Sequence, residues 1–490
     1  MAETPVVPHP QPSTVGRPWG RPRVILLAIL LAATVLRLYR LDEGLWFDEI
    51  VADVEFVRAP LGTIVTTYES ENQHFLYNIL AHASYSLFGQ SVWALRLPAV
   101  LFGLASILAL YLFARRVTSV TESLLAAGLL AFSYHHVWFS QNARGYTGLL
   151  FWALLSSWLL LGALRSDRQA LWLSYGASLA LGVYTHFTMV FPIVGQLVVY
   201  GLELFRQGRA GQRRAWRGLL LGFGVGALLT LLLYAPVLPN ILANMGRETS
   251  VVAEWKNPLW TLAELAKGLQ VSFFGGALAA IAVAVFGLGA VSYARSESTV
   301  VILLAVPVVA CIAVVVGMGH HLWPRFFFFA LGYGALVAVR GATVAGRLVS
   351  QRLLRWPEAR SAWLGTAMGL GLVLVSALSV AFVYGPKQDF AGALRFVQAA
   401  QASGDAVATA DLAALPYEEY YHTNWHVVKS VKDLDALRSS ARRTWFVYTF
   451  PEVLESSAPD IMASVTRDFQ LVKTFDGTLS GGTIYVARAN

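Results

Sequence analysis

The stretch "VILLAILLAATVLRLYRLDEGLWFDE", residues 24–49, sets the reading of the whole chain. An apolar run long enough to enter a bilayer as a helix gives way within a few residues to Asp42, Glu43, Asp48 and Glu49. Apolar runs of roughly 18 to 22 residues recur downstream, the length a helix needs to span hydrocarbon. The 490 residues are 56% hydrophobic and 13% charged, with a mean hydropathy of +0.56. The chain is therefore expected to be a multi-pass α-helical membrane protein. No small-residue cleavage site follows the first run, so it reads as an uncleaved span behind a proline-rich cytoplasmic tail, residues 1–22. Cys311, the only cysteine, excludes an intramolecular disulfide.

Eleven spans are expected, near residues 23–40, 92–114, 121–139, 146–164, 170–187, 188–205, 218–238, 273–293, 299–317, 326–340 and 362–384. With the N-terminus inside, the inner segments carry Arg17, Arg21, Arg23, Arg115, Arg116, Arg165 and Arg168, and also the dense runs "FRQGRAGQRRAWR" and "RGATVAGRLVSQRLLR". The outer segments are longer and hold only Arg37, Arg40, Arg58, Arg96, Arg144, Arg247, Lys256, Lys267 and Arg325. This positive-inside bias orients the chain and accounts for its formal charge of +8 without a nucleic-acid partner. It also puts a first loop, residues 41–91, on the outer face.

Beyond the last span, residues 385–490 alternate short β-branched or aromatic runs with helical patterns and carry both signs of charge. They read as a small extracytoplasmic α/β domain. They show no glycine-rich phosphate loop, zinc spacing or nucleophile elbow, so a structural or acceptor-docking appendage is expected.

The first outer loop concentrates Asp42, Glu43, Asp48, Glu49, Asp53, Glu55, Glu69 and Glu71. Most loop carboxylates are simply solvated. Asp48 and Glu49 stand apart because "GLWF" precedes them, and its aromatic rings would hold the pair at headgroup level, where a carboxylate can act as general base toward a hydroxyl. His74, His135, His136, His186, His320 and His321 fall at outer helix ends, as do Arg96, Arg144 and Arg325. Together they supply a base and cations that can take up the charge of a departing phosphate. Asp48 is expected to line an outward-facing cavity open to lipid, shared with Arg96 or Arg144. Metal binding competes for the same residues, but adjacent histidines on a helix point about 100 degrees apart and cannot ligate as an i, i+4 pair. A divalent ion at Asp48 and Glu49 stays open.

The runs "RLYRLDEGLWFDE", "ENQHFLYNIL", "RLPAVLFGLASILALYLFARR", "FSQNARGYTGLLFWALLSSWLL", "YTHFTMVFP" and "PRFFFFALGYGAL" resemble the GT-C glycosyltransferases of glycosyltransferase family 39, the protein O-mannosyltransferase and aminoarabinose-transferase type. The resemblance runs through most of residues 30–340 and is carried best by W-x-D-E with the downstream A-R-x-Y, which ends at Tyr146. It implies an enzyme of the bacterial cytoplasmic membrane that moves a sugar from a polyprenyl-phosphate carrier to an outer-face acceptor, with inversion. The acceptor would be a glycolipid, a polysaccharide or a protein. By the same resemblance Asp48 is the catalytic carboxylate and Glu49 its acidic neighbour. His74, Arg96, Arg144, Tyr146, His186 and Arg325 would bind donor phosphate or substrate. At His74 the sequence departs from the family's H-x-P-L-Y pattern, with Phe75 and Leu76 following. No cofactor is required, because a sugar on a single lipid phosphate already has a competent leaving group, and a divalent metal is optional.

Two rival readings accompany this one. A transporter or flippase for lipid-linked sugars would place ionisable residues near the bilayer midplane and show inverted repeats, and neither pattern is evident. A transferase with a pyrophosphate-linked oligosaccharide donor would depend more tightly on a metal. A scaffold without enzymatic activity is a third reading.

Overall fold

The computed structural model describes residues 20–70, 72–244, 252–273 and 275–490. Most of the expected cytoplasmic tail lies outside the described residues, as do Glu71 and Arg247, and the side chains of Arg209, Arg213 and Arg214 are likewise not described.

Each of the eleven expected spans falls on helix. Among the described residues, seven helical stretches are long and apolar enough to cross a membrane: Val92–Val117, Tyr146–Ser166, Phe187–Gly208, Gly276–Ser296, Ser298–Gly317, Pro324–Leu353 and Arg360–Tyr384. The remaining four differ for visible reasons. Arg21–Leu38 carries three arginines in its eighteen residues, and Gln169–Thr185 has seventeen residues. Gly218–Tyr234 is a shorter apolar stretch. The run expected at 121–139 breaks in two, since Val120–Ala131 ends before Ser133, whose hydroxyl caps a new helix, Tyr134–Ser140.

The bundle inverts the usual rule for a protein in water. Leu31, Val35, Leu231, Val309 and Leu378 are exposed on its surface, while a polar network sits inside. There the Gln196 amide donates to Ser156 and Ser157 and accepts from Tyr175, and Tyr333 meets Ser157. Such inward polar groups satisfy one another where lipid offers no partner. Small residues let backbones touch: a Cβ on Gly289 or Gly341 would collide with the carbonyl of Val337 or Val285, so Gly276–Ser296 and Leu331–Leu348 cross at glycine contact.

After the last long helix comes a five-stranded sheet with strands β1 (Asp405–Thr409), β2 (His426–Val427), β3 (Arg443–Thr449), β4 (Gln470–Phe475) and β5 (Ile484–Ala489), in the order β2-β1-β3-β5-β4. β1 runs parallel to β2 and β3, whereas β5 is antiparallel to β3 and β4. Alternation along β3 splits its side chains. Phe446 and Tyr448 pack under Leu434, Leu454, Ile461 and Val465. Trp445 and Val447 join a core shared with Leu45, Ile50, Val57, Tyr77, Leu95 and Ala143. That second core welds the sheet domain to the acidic first loop and to the tops of the helices.

Candidate active site

Helix Phe47–Val51 is one turn long and carries Asp48 and Glu49. A single turn gains little from its own hydrogen bonds, so its position depends on outside partners. Glu49 supplies several of these. Its carboxylate is fully buried and takes both Nε and Nη2 of Arg96 at 2.7 Å, together with the Ala143 N–H at 2.6 Å. Lys387 Nζ stands 3.6 Å from the same group. Burial alone would push the Glu49 carboxyl up, but Arg96, Lys387 and the Ala143 N–H outweigh it and hold its pKa below the ordinary value.

Arg96 has no donor left over. Its remaining N–H groups reach the carbonyls of Leu41, Glu43 and Gly44, and the residue is 1% exposed. All five guanidinium donors are thus committed within the protein. In this structure Arg96, expected with Arg144 to lie near a lipid phosphate, pins the loop around Glu49. Glu49 in turn is a structural anchor for the helix, not a group that meets substrate in this arrangement.

Asp48 faces the other way, and Arg325 Nη1 donates to its Oδ2 at 2.8 Å. Arg325 is the second residue of the seven-residue 3-10 helix Pro324–Ala330, with its guanidinium 4.8 Å from the Trp323 ring centroid. Asp48 is 6% exposed. The Asp48 carboxylate, expected to line an open lipid-facing cavity, is here covered by the guanidinium paired with it.

Around this pair gather four more of the sequence-predicted residues. The His74 ring lies 4.5 Å from His186 and 5.6 Å from Tyr146, and Tyr146 is 4.8 Å from His186, by centroids. Arg144 and Arg325 both act electrostatically on His74 and His186. Burial, then the charge of Arg144 and the neighbouring His186, push His74 well below the usual histidine range, so it is neutral at pH 7. Arg144 is 2% exposed and donates to the carbonyl and side-chain oxygens of Asn72. It forms no ion pair among the described residues, and its Nε is buried without a hydrogen-bond partner there. The Nδ2 of Asn142, two residues away, is in the same condition. A buried cation beside donors with no partner among the described residues has the chemistry to accept an anion.

The other histidines do not join. His136 is clamped between Arg37 and Ser106, and its neighbour His135 turns to the Gly268 carbonyl. His321 packs on Trp255 and Trp323, while His320 is exposed. Consecutive residues diverge around a helix or loop, so the convergence of all six expected from their shared face reduces to His74 and His186. Among the described residues, no three His, Cys, Asp or Glu side chains gather as a metal site.

Sequence reasoning missed Asn72 and Asn142, which lie inside quoted motifs as ordinary amides, and Lys387 and Gln388, which sit in "GPKQDF" after the last span with no local pattern to mark them.

Residues 73–239 match the family described as dolichyl-phosphate-mannose-protein mannosyltransferase. No curated protein matches the chain in sequence. Among solved structures, the chain is similar to ArnT from Cupriavidus metallidurans bound to undecaprenyl phosphate, with TM-score 0.52 and 14% identity over 95% of this chain and 97% of that one. It is also similar to the Archaeoglobus fulgidus oligosaccharyltransferase in complex with zinc and sulfate, with TM-score 0.57 and 12% identity over 94% of this chain and 72% of that one. At such identities the likeness is one of fold. The chain shares the multi-pass helical membrane fold of these proteins.

Proposed function

We propose that this GT-C membrane protein is an inverting glycosyltransferase that takes a sugar from a polyprenyl-phosphate carrier and passes it to an acceptor hydroxyl on the outer face of the bacterial cytoplasmic membrane. The observation that carries this reading is a carboxylate paired to one arginine, Asp48 to Arg325, beside a second, buried arginine, Arg144, that has no carboxylate partner among the described residues. The family match over residues 73–239 and the lipid phosphate bound to the similar ArnT support the same reading.

The chemistry is an in-line displacement. Arriving phosphate charge draws Arg325 away from Asp48 and settles between Arg325 and Arg144, where charge-assisted bonds favour it over a carboxylate of lower charge. The exchange leaves the Asp48 carboxylate able to accept the proton of the acceptor hydroxyl. The hydroxyl oxygen bonds to the anomeric carbon from the face opposite the phosphate, and the bond from that carbon to the phosphate oxygen breaks. The lipid phosphate leaves with the electron pair, its charge held by the two guanidiniums, and the configuration inverts. His74 and His186, with Tyr146, would line the sugar side. No cofactor is proposed, since a monophosphate leaving group asks only for cationic donors.

The test is transfer from radiolabelled polyprenyl-phosphate sugars into membrane extract by the purified protein. Label carried to an acceptor by the wild type and not by Asp48→Asn is the expected result, while equal transfer by both removes Asp48 as the base. Transfer only from pyrophosphate-linked donors with added divalent metal would favour the rival transferase.

A further inference from the structure

Beside the apolar core that Ile50 shares with the sheet domain, the dipeptide Lys387-Gln388 makes polar contacts to the acidic turn from both sides. Phe47 is the first residue of the one-turn helix, and its N–H has no partner within the helix. The residue ahead of it, Trp46, has no side-chain oxygen to cap with. The acceptor comes instead from 341 residues away: Gln388 Oε1 takes the Phe47 N–H at 3.0 Å. The amide of Gln388 is fixed in turn, because its Nε2 donates to Thr449 Oγ1 at the end of β3, and that hydroxyl donates to the Thr483 carbonyl at 3.0 Å.

Lys387 works on the far side of the turn. Its Nζ donates to the Gln141 carbonyl at 2.5 Å, lies over the Trp138 ring and stands beside Glu49. The backbone of this dipeptide is tied down as well. The Thr478 N–H donates to the Pro386 carbonyl and the Leu479 N–H to the Lys387 carbonyl, and Trp138 Nε1 donates to Thr478 Oγ1. A side chain on Gly477 would strike the Lys387 carbonyl, so the loop between β4 and β5 is held in close contact with the dipeptide. Both residues are buried.

We infer that Lys387 and Gln388 are positioning residues for Asp48, and that the C-terminal domain is a working part of the active site, supplying the cap that sets the angle of the acidic turn. Asp48 is the residue next to Phe47, so the amide that Gln388 holds lies directly before the proposed base. Losing that acceptor frees the first N–H of the turn while Glu49 and the continuing helix Ala52–Val57 stay in place, so the Asp48 carboxylate shifts relative to those anchors. Misplacement of a reacting group by about 1 Å costs up to about 100-fold in rate. This inference rests on the proposed transferase activity for its kinetic consequence, but not for its structural one.

The experiment uses the full chain in detergent or nanodiscs and compares wild type with Gln388→Leu and Gln388→Glu. Glutamate keeps an acceptor oxygen for the Phe47 N–H, whereas leucine keeps only the volume. For Gln388→Leu, kcat is expected to fall about 10- to 100-fold with donor KM and Tm close to wild type, and Gln388→Glu to restore most of the rate. Hydrogen exchange in the peptide spanning residues 45–51 should be faster by about fivefold in the leucine variant alone, the loss of one net hydrogen bond. If Gln388→Leu does not accumulate, Thr449→Val loosens the Gln388 amide more gently and should show the same pattern at smaller size. Unchanged exchange in residues 45–51, or a rate loss that only tracks a fall in Tm, overturns the inference. Absence of sugar transfer by the wild type overturns the proposed function instead, and the exchange measurement still decides the positioning role.

Discussion

Arg325 and Asp48, 277 residues apart in the chain, meet as an ion pair of 2.8 Å, and each partner blocks the other from its proposed role. The proposed base is occupied by the cation meant for phosphate, so donor binding must compete with the carboxylate for the guanidinium.

That competition has a sign. Asp48→Asn weakens the hold on Arg325 while nearly keeping the side chain's shape. Polyprenyl phosphate should therefore bind this variant as tightly as the wild type or more tightly, even as transfer falls by about 10²- to 10⁴-fold, the range for loss of a general base. Binding measured with a fluorescent lipid phosphate beside transfer assays separates the two effects. Weaker binding together with lost transfer would count against the exchange of partners.

Arg144 should behave as an anion site held at some expense to folding. Removing a buried cation that lacks a carboxylate relieves a desolvation cost. Arg144→Met is accordingly expected to leave Tm unchanged or raised while lowering lipid phosphate affinity by about 10- to 100-fold, as for loss of a charged hydrogen bond. A large drop in Tm with intact affinity would place Arg144 among the structural residues.

Glu49 and Arg96 predict the opposite pattern. Glu49→Gln leaves the guanidinium buried with weaker acceptors and should destabilise the fold by about 3–5 kcal/mol. Adding Arg96→Met to Glu49→Leu should recover part of the loss, since two apolar groups replace two charges. Thermal unfolding of the purified variants reads both outcomes.

Lys387 gives a pH dependence. Burial first, then the nearby Arg96, lower its pKa to about 7, against a partial upward pull from Glu49 and Glu43. Between that pH and the ordinary lysine value the unfolded chain binds the proton that the folded chain has released, so stability rises with pH across the interval. From pH 7 to pH 10 the Tm of the wild type should climb by about 2 °C or more relative to Lys387→Met. Parallel curves for the two proteins would remove the buried amine as the cause.

The helical frame was legible in the sequence because length and apolarity alone decide what can sit in hydrocarbon. His74, Arg144, Tyr146, His186 and Arg325 were legible as a group for a related reason: polar residues at helix ends of one face have only that face to share. Their pairings were not. Nothing in local spacing says that Arg96 closes on Glu49 while Arg325 closes on Asp48, since both choices are made by packing between segments far apart in the chain. The same holds for the break at Ser133, where a capping hydroxyl splits an apolar run that composition reads as continuous. Lys387 and Gln388 lay beyond reach, because their meaning depends on how the sheet domain seats on a loop more than three hundred residues earlier.

The apolar core that joins Leu45 and Ile50 to Phe390, Trp445 and Val486 also bears on how the protein is made. The acidic turn leaves the ribosome early, yet its cap and half of its supporting core arrive only with the closing hundred or so residues. A chain interrupted after its last long helix would keep the Glu49–Arg96 anchor but lack the Gln388 cap and the sheet-domain half of the core beneath its proposed base. The proposed site is therefore complete only once the sheet domain has been made and has seated on the acidic turn.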